Sequence, residues 1–174
     1  LGYVESKKLV VAAGAWSHRF TAQLGVSIPL ETERGYHVTI AHPEVLPSHV
    51  IMEAERKFVA TPMEIGLRFA GTAELAGLEA PPNYERAEIL LRLGKRMFPG
   101  ISGTEKTEWM GHRPSLPDSR PVIGKCPDAP NILFAFGHGH RGLIGAPMTG
   151  EIITDLIANR PPKIDITPFR PERF

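Results

Sequence analysis

The sequence has few of the features that would assign it to several common classes of protein. Cys126 is the only cysteine in 174 residues, so the chain can form neither an internal disulfide nor a zinc site built from several cysteines. This cysteine usage is typical of a reducing compartment, and we expect a cytoplasmic protein. No apolar run approaches the ~20 residues that a membrane-spanning helix requires.

Neither sign of charge is in excess. The chain has 20 Lys and Arg residues against 19 Asp and Glu residues, a formal net charge of +1. Nucleic-acid-binding proteins usually carry a basic excess on one face, so we expect no nucleic-acid partner. The sequence opens Leu-Gly-Tyr-Val-Glu, with neither an initiator Met nor a signal-peptide pattern. From this we expect an excised or processed fragment.

Apolar periodicity predicts alternating strands and helices. Residues 8–14 (KLVVAAG) form a short apolar run typical of a strand buried on both faces, as in a parallel sheet. Further strands are predicted near residues 30–40, 50–60, 66–72, 104–110, 121–124 and 132–136, with 61–64 as a hairpin connection.

Two longer segments have the period of an amphipathic helix. Residues 83–98 begin at Asn83, a good capping residue, and end before Pro99-Gly100. The last helix is predicted from about 143 to 158, with Pro147 in its first turn, where a missing N–H costs little.

A glycine-rich turn lies between the last strand and the last helix, in ILFAFGHGHRGLIGAP. Gly137, Gly139 and Gly142 satisfy G-x-G-x-x-G, but a dinucleotide-binding unit also needs a second strand carrying an acid about 20 residues on. Only residues 163–167 could form that strand, and residues 168–174 predict no further helix or strand. The turn therefore does not open a Rossmann unit of its own. Its free amides could hold an anionic group, or the glycines could simply allow close packing.

Four segments, in this order, resemble the FAD-dependent D-amino-acid oxidase and dehydrogenase superfamily: KLVVAAGAWS (8–17), PLETERGYHV (29–38), GHRPSLPDSRPVIG (111–124) and ILFAFGHGHRGLIGAPMTGEIITDLI (132–157). The similarity is closest to the bacterial D-amino-acid dehydrogenases, with glycine and sarcosine oxidases as relatives. The family's phosphate-binding glycine motif lies near its N-terminus. The resemblance therefore implies the C-terminal part of such an enzyme, with FAD as the cofactor.

The implied fold class is α/β (α+β). An antiparallel or mixed substrate-domain sheet with helices is expected, together with the C-terminal part of a glutathione-reductase-like FAD domain. By similarity, residues 1–28 are a late strand and turn of the FAD domain. Residues 29–115 are the substrate-binding domain, and residues 116–174 return to the FAD domain.

The resemblance also assigns flavin contacts. The positions that match the family's contacts with the flavin pyrimidine ring are Gly139, His140, Arg141, Gly142, Leu143 and Ile144. Amides of Leu143 and Ile144 at a helix start would stabilise negative charge on the reduced ring and raise its reduction potential. A second contact matches Ala12, Ala13, Gly14 and Trp16. From the residues alone, a buried strand with a packed Trp is the alternative there.

The substrate residues follow in the same way. Arg113, in the family's G-x-R-P motif, is implied to clamp the substrate carboxylate, a task that suits a planar guanidinium. Tyr36 is a second carboxylate or lid contact by similarity, or an ordinary sheet aromatic, and His140 is a further substrate contact. His138, His140 and His112 could suggest zinc, but they lack a cysteine partner and a nearby carboxylate pattern, so no metal is expected.

The implied reaction is oxidation of a D-amino acid by hydride transfer to FAD, giving an imino acid that hydrolyses to a keto acid. The carboxylate clamp positions the substrate, so no catalytic base is required. Electrons would pass to a quinone or respiratory carrier, with the protein cytoplasmic or peripheral at the cytoplasmic membrane face. The alternatives are a glycine-, sarcosine- or cyclic-amino-acid oxidase, or a catalytically silent fragment that folds without FAD. The isolated chain is expected to bind FAD weakly or not at all, and exposed apolar surface would favour a homodimer.

Overall fold

The computed structural model describes residues 2–174, which form two compact units. The first combines the segment up to Thr32 with Arg113–Phe174, and the second is Glu33–His112. Across residues 2–174 the fold is mixed α/β with two sheets and three α-helices. This confirms the predicted fold class.

The elements are numbered along the chain. The strands are β1 Leu9–Val11, β2 Glu31–Ile40, β3 Ile51–Glu53, β4 Phe58–Met63, β5 Gly66–Leu75, β6 Lys106–Ser115, β7 Val122–Cys126 and β8 Ala129–Phe136. The α-helices are α1 Ser17–Gln23, α2 Glu85–Met97 and α3 Gly142–Ile157. Short 3-10 helices cover Gly14–Trp16, Gly139–Arg141, Thr167–Phe169 and Pro171–Arg173.

The first unit is built on a three-stranded sheet in the order β1-β8-β7. β1 runs parallel to β8, with Val11 opposite Phe134, and β7 runs antiparallel to β8. Because side chains alternate along a strand, Phe134 and Phe136 of β8 pack into one buried cluster and Leu133 packs into another. The second cluster includes Ile152 and Ile153 of α3, so this helix covers one face of the sheet.

The second unit contains strands in the order β3-β4-β5-β2-β6, and its pairings β3–β4, β4–β5 and β5–β2 are antiparallel. Helix α2 packs Leu90 and Leu91 into a core that includes Val38 and Phe69. Gly94 of α2 has a steric role, because a Cβ there would lie 2.3 Å from the Phe69 ring. The helix can therefore approach the sheet closely only with glycine at this position.

Both predicted helices are confirmed, but one strand prediction is wrong and the predicted hairpin connection is misplaced. Residues 50–60 form β3 and the start of β4, separated by a turn in which Lys57 has φ +56°. The hairpin connection is Glu64-Ile65 rather than 61–64, since β4 continues to Met63 and pairs Pro62 with Leu67 of β5. β3 pairs with β4 only as far as Ala60, so the missing N–H of Pro62 removes no bond to β3.

The prediction for Pro147 is also wrong, because this proline lies inside α3 rather than in its first turn. The helix starts at Gly142, which puts Pro147 in the second turn, where its N–H would have bonded to the carbonyl of Leu143. Leu143 is 91% exposed, so water can satisfy that carbonyl.

Candidate functional site

Two predicted flavin-contact segments follow neighbouring parallel strands. Ala12–Gly14 comes directly after β1, and the Gly137–Gly139 turn comes directly after β8. The register pairs Leu9 with Ile132 and Val11 with Phe134, so both strands end at the same edge of the sheet. The structure therefore brings these two segments, which are more than 120 residues apart in sequence, to the carboxyl edge where open α/β sheets bind their ligands.

Gly137 fixes the path of the chain as it leaves β8. It has φ +83°, a conformation that side-chain-bearing residues rarely adopt. A Cβ at this position would lie 2.5 Å from Cδ1 of the buried Leu116. Both the backbone conformation and the close packing therefore require glycine.

The helix start beyond this turn is open. Gly139 also has positive φ, +54°, and the nearest atom to a Cβ there would be Ser115 Oγ at 3.7 Å. No side chain among the described residues caps α3, so its first amides keep their donors for another acceptor. Leu143 and Ile144 are 91% and 86% exposed. This combination of amide donors and apolar side chains can meet the edge of a planar, partly apolar ring.

His138 faces inwards and supports the helix start. Its Nε2 lies 2.9 Å from Thr149 Oγ1, and the Thr149 hydroxyl donates to the carbonyl of Gly145 at 2.8 Å. Since that hydroxyl proton is already used, Nε2 of His138 must donate to Thr149 Oγ1, which fixes the ring tautomer. Burial lowers the pKa of His138 from its ordinary value of 6.5. The imidazole is therefore a neutral positioning group.

Arg113 lies near the end of β6 and is half-buried. Residues two apart on a strand point to the same face, so Arg113 shares a face of β6 with Ser115. Ser115 is the residue whose hydroxyl faces Gly139. The strand therefore directs the Arg113 side chain to the side on which the glycine turn lies.

Tyr36 occupies a different environment, inside the core of the second unit. Its side chain is only 1% exposed. The hydroxyl donates to Glu74 Oε2 at 2.5 Å and accepts from the backbone N–H of Asn83 at 3.0 Å. Both hydrogen-bonding directions of the phenol are thus used within the protein, as expected of a structural sheet aromatic.

The remaining predicted residues are placed as follows. His140 and Arg141 are exposed in the 3-10 helix before α3, and Trp16 is 44% exposed rather than packed in a core. Across residues 2–174, no three His, Cys, Asp or Glu side chains come close enough together to hold a metal ion. None of the helices described is long and apolar enough to cross a membrane.

Sequence reasoning missed Ser115 and Thr149. Ser115 lies two residues after Arg113 on the same strand, so strand alternation alone could have indicated it. Thr149 is eleven residues beyond His138, and no local pattern links the two. Their contact depends on how the turn at Gly137 folds the ring of His138 back onto α3.

Solved structures share this architecture. A glycine oxidase from Geobacillus kaustophilus superposes with a TM-score of 0.84 at 25% identity, covering 97% of this chain and 46% of that protein. An iminodiacetate oxidase from Chelativorans sp. BNC1 gives a TM-score of 0.83 at 22% identity, covering 97% of this chain and 47% of that protein. The fold is thus that of part of an FAD-dependent oxidoreductase.

The sequence matches the family described as DAO, FAD dependent oxidoreductase, over residues 2–156. The chain belongs to this family. It is 47% identical over 177 residues to a D-amino-acid oxidase from Bradyrhizobium diazoefficiens and 34% identical over 176 residues to a D-amino acid dehydrogenase from Paramagnetospirillum magneticum. Each match covers 99% of this chain but 42% of the relative, so the chain spans less than half the length of these curated relatives.

Proposed function

We propose that this chain supplies the isoalloxazine side of an FAD site in an enzyme that oxidises D-amino acids. The observation that carries the proposal is the meeting of Ala12–Gly14 and Gly137–Gly139 at one sheet edge, next to the uncapped start of α3. Family membership and the relatives named D-amino-acid oxidase and D-amino acid dehydrogenase support the choice of cofactor and substrate.

The residues present fit a flavin ring. Gly139 leaves its side of the turn open, and a Cβ there would face only Ser115 Oγ. The amides of Leu143 and Ile144 would donate to the electron-rich pyrimidine edge, where the positive end of the helix dipole also stabilises negative charge. When bound, FAD supplies the two-electron acceptor for the hydride that leaves the substrate Cα.

Arg113 is assigned to the substrate carboxylate. Its fork of N–H donors can bind both carboxylate oxygens and so orient the Cα–H bond. Loss of the hydride and of one amine proton converts the neutral amine to an imine, and water then gives an oxo acid and ammonia. We assign Tyr36 a structural role, since its hydroxyl already bonds to Glu74 and Asn83. His140, exposed beside the turn, is kept as a further substrate contact.

FAD titration of the purified chain tests the cofactor proposal. We expect weak binding, read from flavin fluorescence, that the Gly139→Ala substitution lowers further. Gly25→Ala is the matched control, because Gly25 also has positive φ, +71°, but no neighbour within 4 Å of a Cβ and no place in the site. Equal FAD affinities of the two variants would contradict the assignment of the turn.

Steady-state kinetics of the protein encoded by the longest open reading frame that contains this chain test the substrate proposal. Arg113→Lys should raise the KM for a D-amino acid by about 100-fold, because an ammonium cannot replace a bidentate guanidinium. Arg92→Lys, at an exposed position on α2, is the control and should leave the kinetics unchanged. An unaltered KM in Arg113→Lys would remove Arg113 from the site.

A glycine- or secondary-amine-type oxidase is the second candidate, favoured by the structural similarity to glycine oxidase. The two candidates differ in substrate and in electron acceptor. Turnover of D-alanine coupled to a quinone analogue, without peroxide, would indicate a dehydrogenase. Stoichiometric peroxide from glycine or sarcosine would indicate the oxidase.

We also propose that the isolated chain self-associates as a homodimer when FAD is absent. Leu143 and Ile144 form an exposed apolar tip on α3, and such surface favours self-association. Sedimentation of the chain with and without the Leu143→Ser substitution tests this. A monomer in both cases would contradict it.

A further inference from the structure

A cavity of about 300 Å³ lies within the first unit, between α3, the start of β7 and the tail after α3. Its volume is at the lower end of the range for small-molecule sites. Most of its wall is apolar and comes from three segments that are distant in sequence. The apolar lining residues are Ile123, Ile144, Met148, Ile152, Ile164 and Phe169. Such a wall favours a ligand with a hydrocarbon chain or ring.

The polar lining of this cavity is cationic. Arg120 and Arg141 both line it, whereas no Asp or Glu within residues 2–174 does. The neighbouring carboxylate, Asp118, accepts from Arg173 Nε at 2.8 Å and from the backbone N–H of Arg120 at 3.1 Å, and its charge also acts on the Arg120 guanidinium. There is therefore one carboxylate for the three guanidinium groups of Arg120, Arg141 and Arg173, which leaves a positive excess at the cavity.

The other polar groups of the cavity add no charge. Ser119 and Thr149 are neutral, and burial lowers the pKa of His138 and so favours its neutral imidazole. The Thr149 hydroxyl is itself committed to Gly145, so these side chains form a fixed polar wall. A ligand anion would therefore be bound mainly by the two guanidinium groups.

From this arrangement we propose that the cavity binds a small monocarboxylate that carries an aliphatic or aromatic group. The carboxylate meets Arg120 and Arg141, and the apolar group fills the space between Met148, Ile152 and Phe169. Of the lining residues, only Arg141 and Ile144 also belong to the proposed flavin contacts. The inference therefore goes beyond the proposed function and does not require FAD to be bound.

Four probes separate the contributions of charge and hydrocarbon. Hexanoate carries both, acetate carries the charge alone, hexanol carries the chain alone, and hexylammonium carries the chain with the opposite charge. Titration of the ¹⁵N-labelled chain without FAD, followed by amide chemical shifts, should give saturable hexanoate binding with a Kd on the order of 1 mM. Acetate, hexanol and hexylammonium should each bind at least about fivefold more weakly.

Variants then locate the site. Arg120→Gln and Arg141→Gln should each weaken hexanoate binding roughly fivefold, and Met148→Trp should weaken it by filling the apolar end. Arg160→Gln is the matched control, because Arg160 lies just after α3, is paired with Asp155 and does not line the cavity. Far-UV circular dichroism of each variant shows whether the fold is retained.

The outcomes divide as follows. Hexanoate preference that is lost in both cavity arginine variants and kept in Arg160→Gln supports the proposal. Equal affinity for hexanoate and hexylammonium, binding unaffected by Arg120→Gln and Arg141→Gln, or no saturable hexanoate binding in the folded wild-type chain would overturn it. Because the titration contains no FAD, failure here leaves the proposed function intact.

Discussion

Nη2 of Arg34 donates a hydrogen bond to the backbone carbonyl of Ala80 at 2.6 Å. The same guanidinium also donates to the carbonyls of Ala76, Gly77 and Pro81, and its side chain is fully buried. One side chain therefore satisfies four carbonyls of the segment that joins β5 to α2. Glu74, 3.7 Å from Nη1, supplies the compensating charge.

Replacing this arginine should destabilise the second unit strongly. Arg34→Lys retains the charge but loses the planar fork, so several buried carbonyls lose their donors. We expect the free energy of unfolding to fall by about 3 kcal/mol, measured by urea denaturation. Arg86→Lys is the control, because Arg86 bonds to the same Glu74 but is 35% exposed, and it should cost less than about 1 kcal/mol. Equal losses would show that the carbonyl contacts contribute little.

The Glu74 carboxylate predicts a dependence of stability on pH. Its bond from Tyr36, followed by those from Arg86 and Arg34, lowers its pKa from the ordinary 4.5. A depressed pKa in the folded state stabilises the fold above 4.5, and this contribution is lost as pH falls through the folded value. Wild type should therefore be more stable than Glu74→Gln at neutral pH, and the difference should shrink on acidification below 4.5. A difference that is constant with pH in thermal melts would contradict this.

Substitution of Thr149 tests whether its hydrogen bond to His138 stabilises the glycine turn. Thr149→Val keeps the shape but removes the acceptor for His138 and the donor to Gly145, which should cost about 1–2 kcal/mol of unfolding free energy. Thr154→Val is a close control, because Thr154 makes the same type of bond, to the Gly150 carbonyl at 2.7 Å, on the exposed side of the same helix. NMR of the imidazole nitrogens should show wild-type His138 protonated at Nε2, with a signal that shifts in Thr149→Val and not in Thr154→Val. A wild-type ring protonated only at Nδ1 would rule out the inferred bond direction.

Substitution of Gly137 tests whether the turn after β8 requires glycine. Gly137→Ala places a methyl group 2.5 Å from Leu116 Cδ1 on a backbone with φ +83°. Gly25→Ala carries the backbone cost alone, about 1 kcal/mol. We expect Gly137→Ala to lose about 2 kcal/mol more than Gly25→Ala in thermal denaturation, because a buried side chain must also move. Similar losses of stability for the two variants would show that the Leu116 side chain can move aside at little energetic cost.

Much of the fold could be predicted from periodicity. Helix α2 follows from the spacing of Ala87, Leu90 and Leu91. The predicted cap, Asn83, lies one residue before the observed N-cap Tyr84, and its Oδ1 accepts from the Glu85 amide at 3.1 Å. The division of residues 50–60 into two strands could not be predicted, because the turn before Lys57 contains no glycine or proline. The left-handed backbone conformation of Lys57 in this turn is imposed by the pairing of β3 with β4.

In the candidate site, too, local features could be predicted from the sequence and long-range contacts could not. The glycine turn and the helix after it could be located from the sequence, because glycine spacing and the apolar strand are local signals. The partner of the Tyr36 hydroxyl could not, since Glu74 is 38 residues away and reaches it only through the pairing of β2 with β5. The cavity likewise depends on a tail that returns to β7, with Phe169 and Ile166 packed beside Ile123.

The position of β1 has a practical consequence. This strand pairs with β8 on one side only within residues 2–174, so a row of backbone donors and acceptors faces outwards at the end of the sheet. Leu9 and Val10 make this rim apolar, with Lys7 and Lys8 just before it. At high concentration, we therefore expect β1 strands of different molecules to pair and the chain to aggregate. A short strand-forming peptide that pairs with β1 should prevent this aggregation.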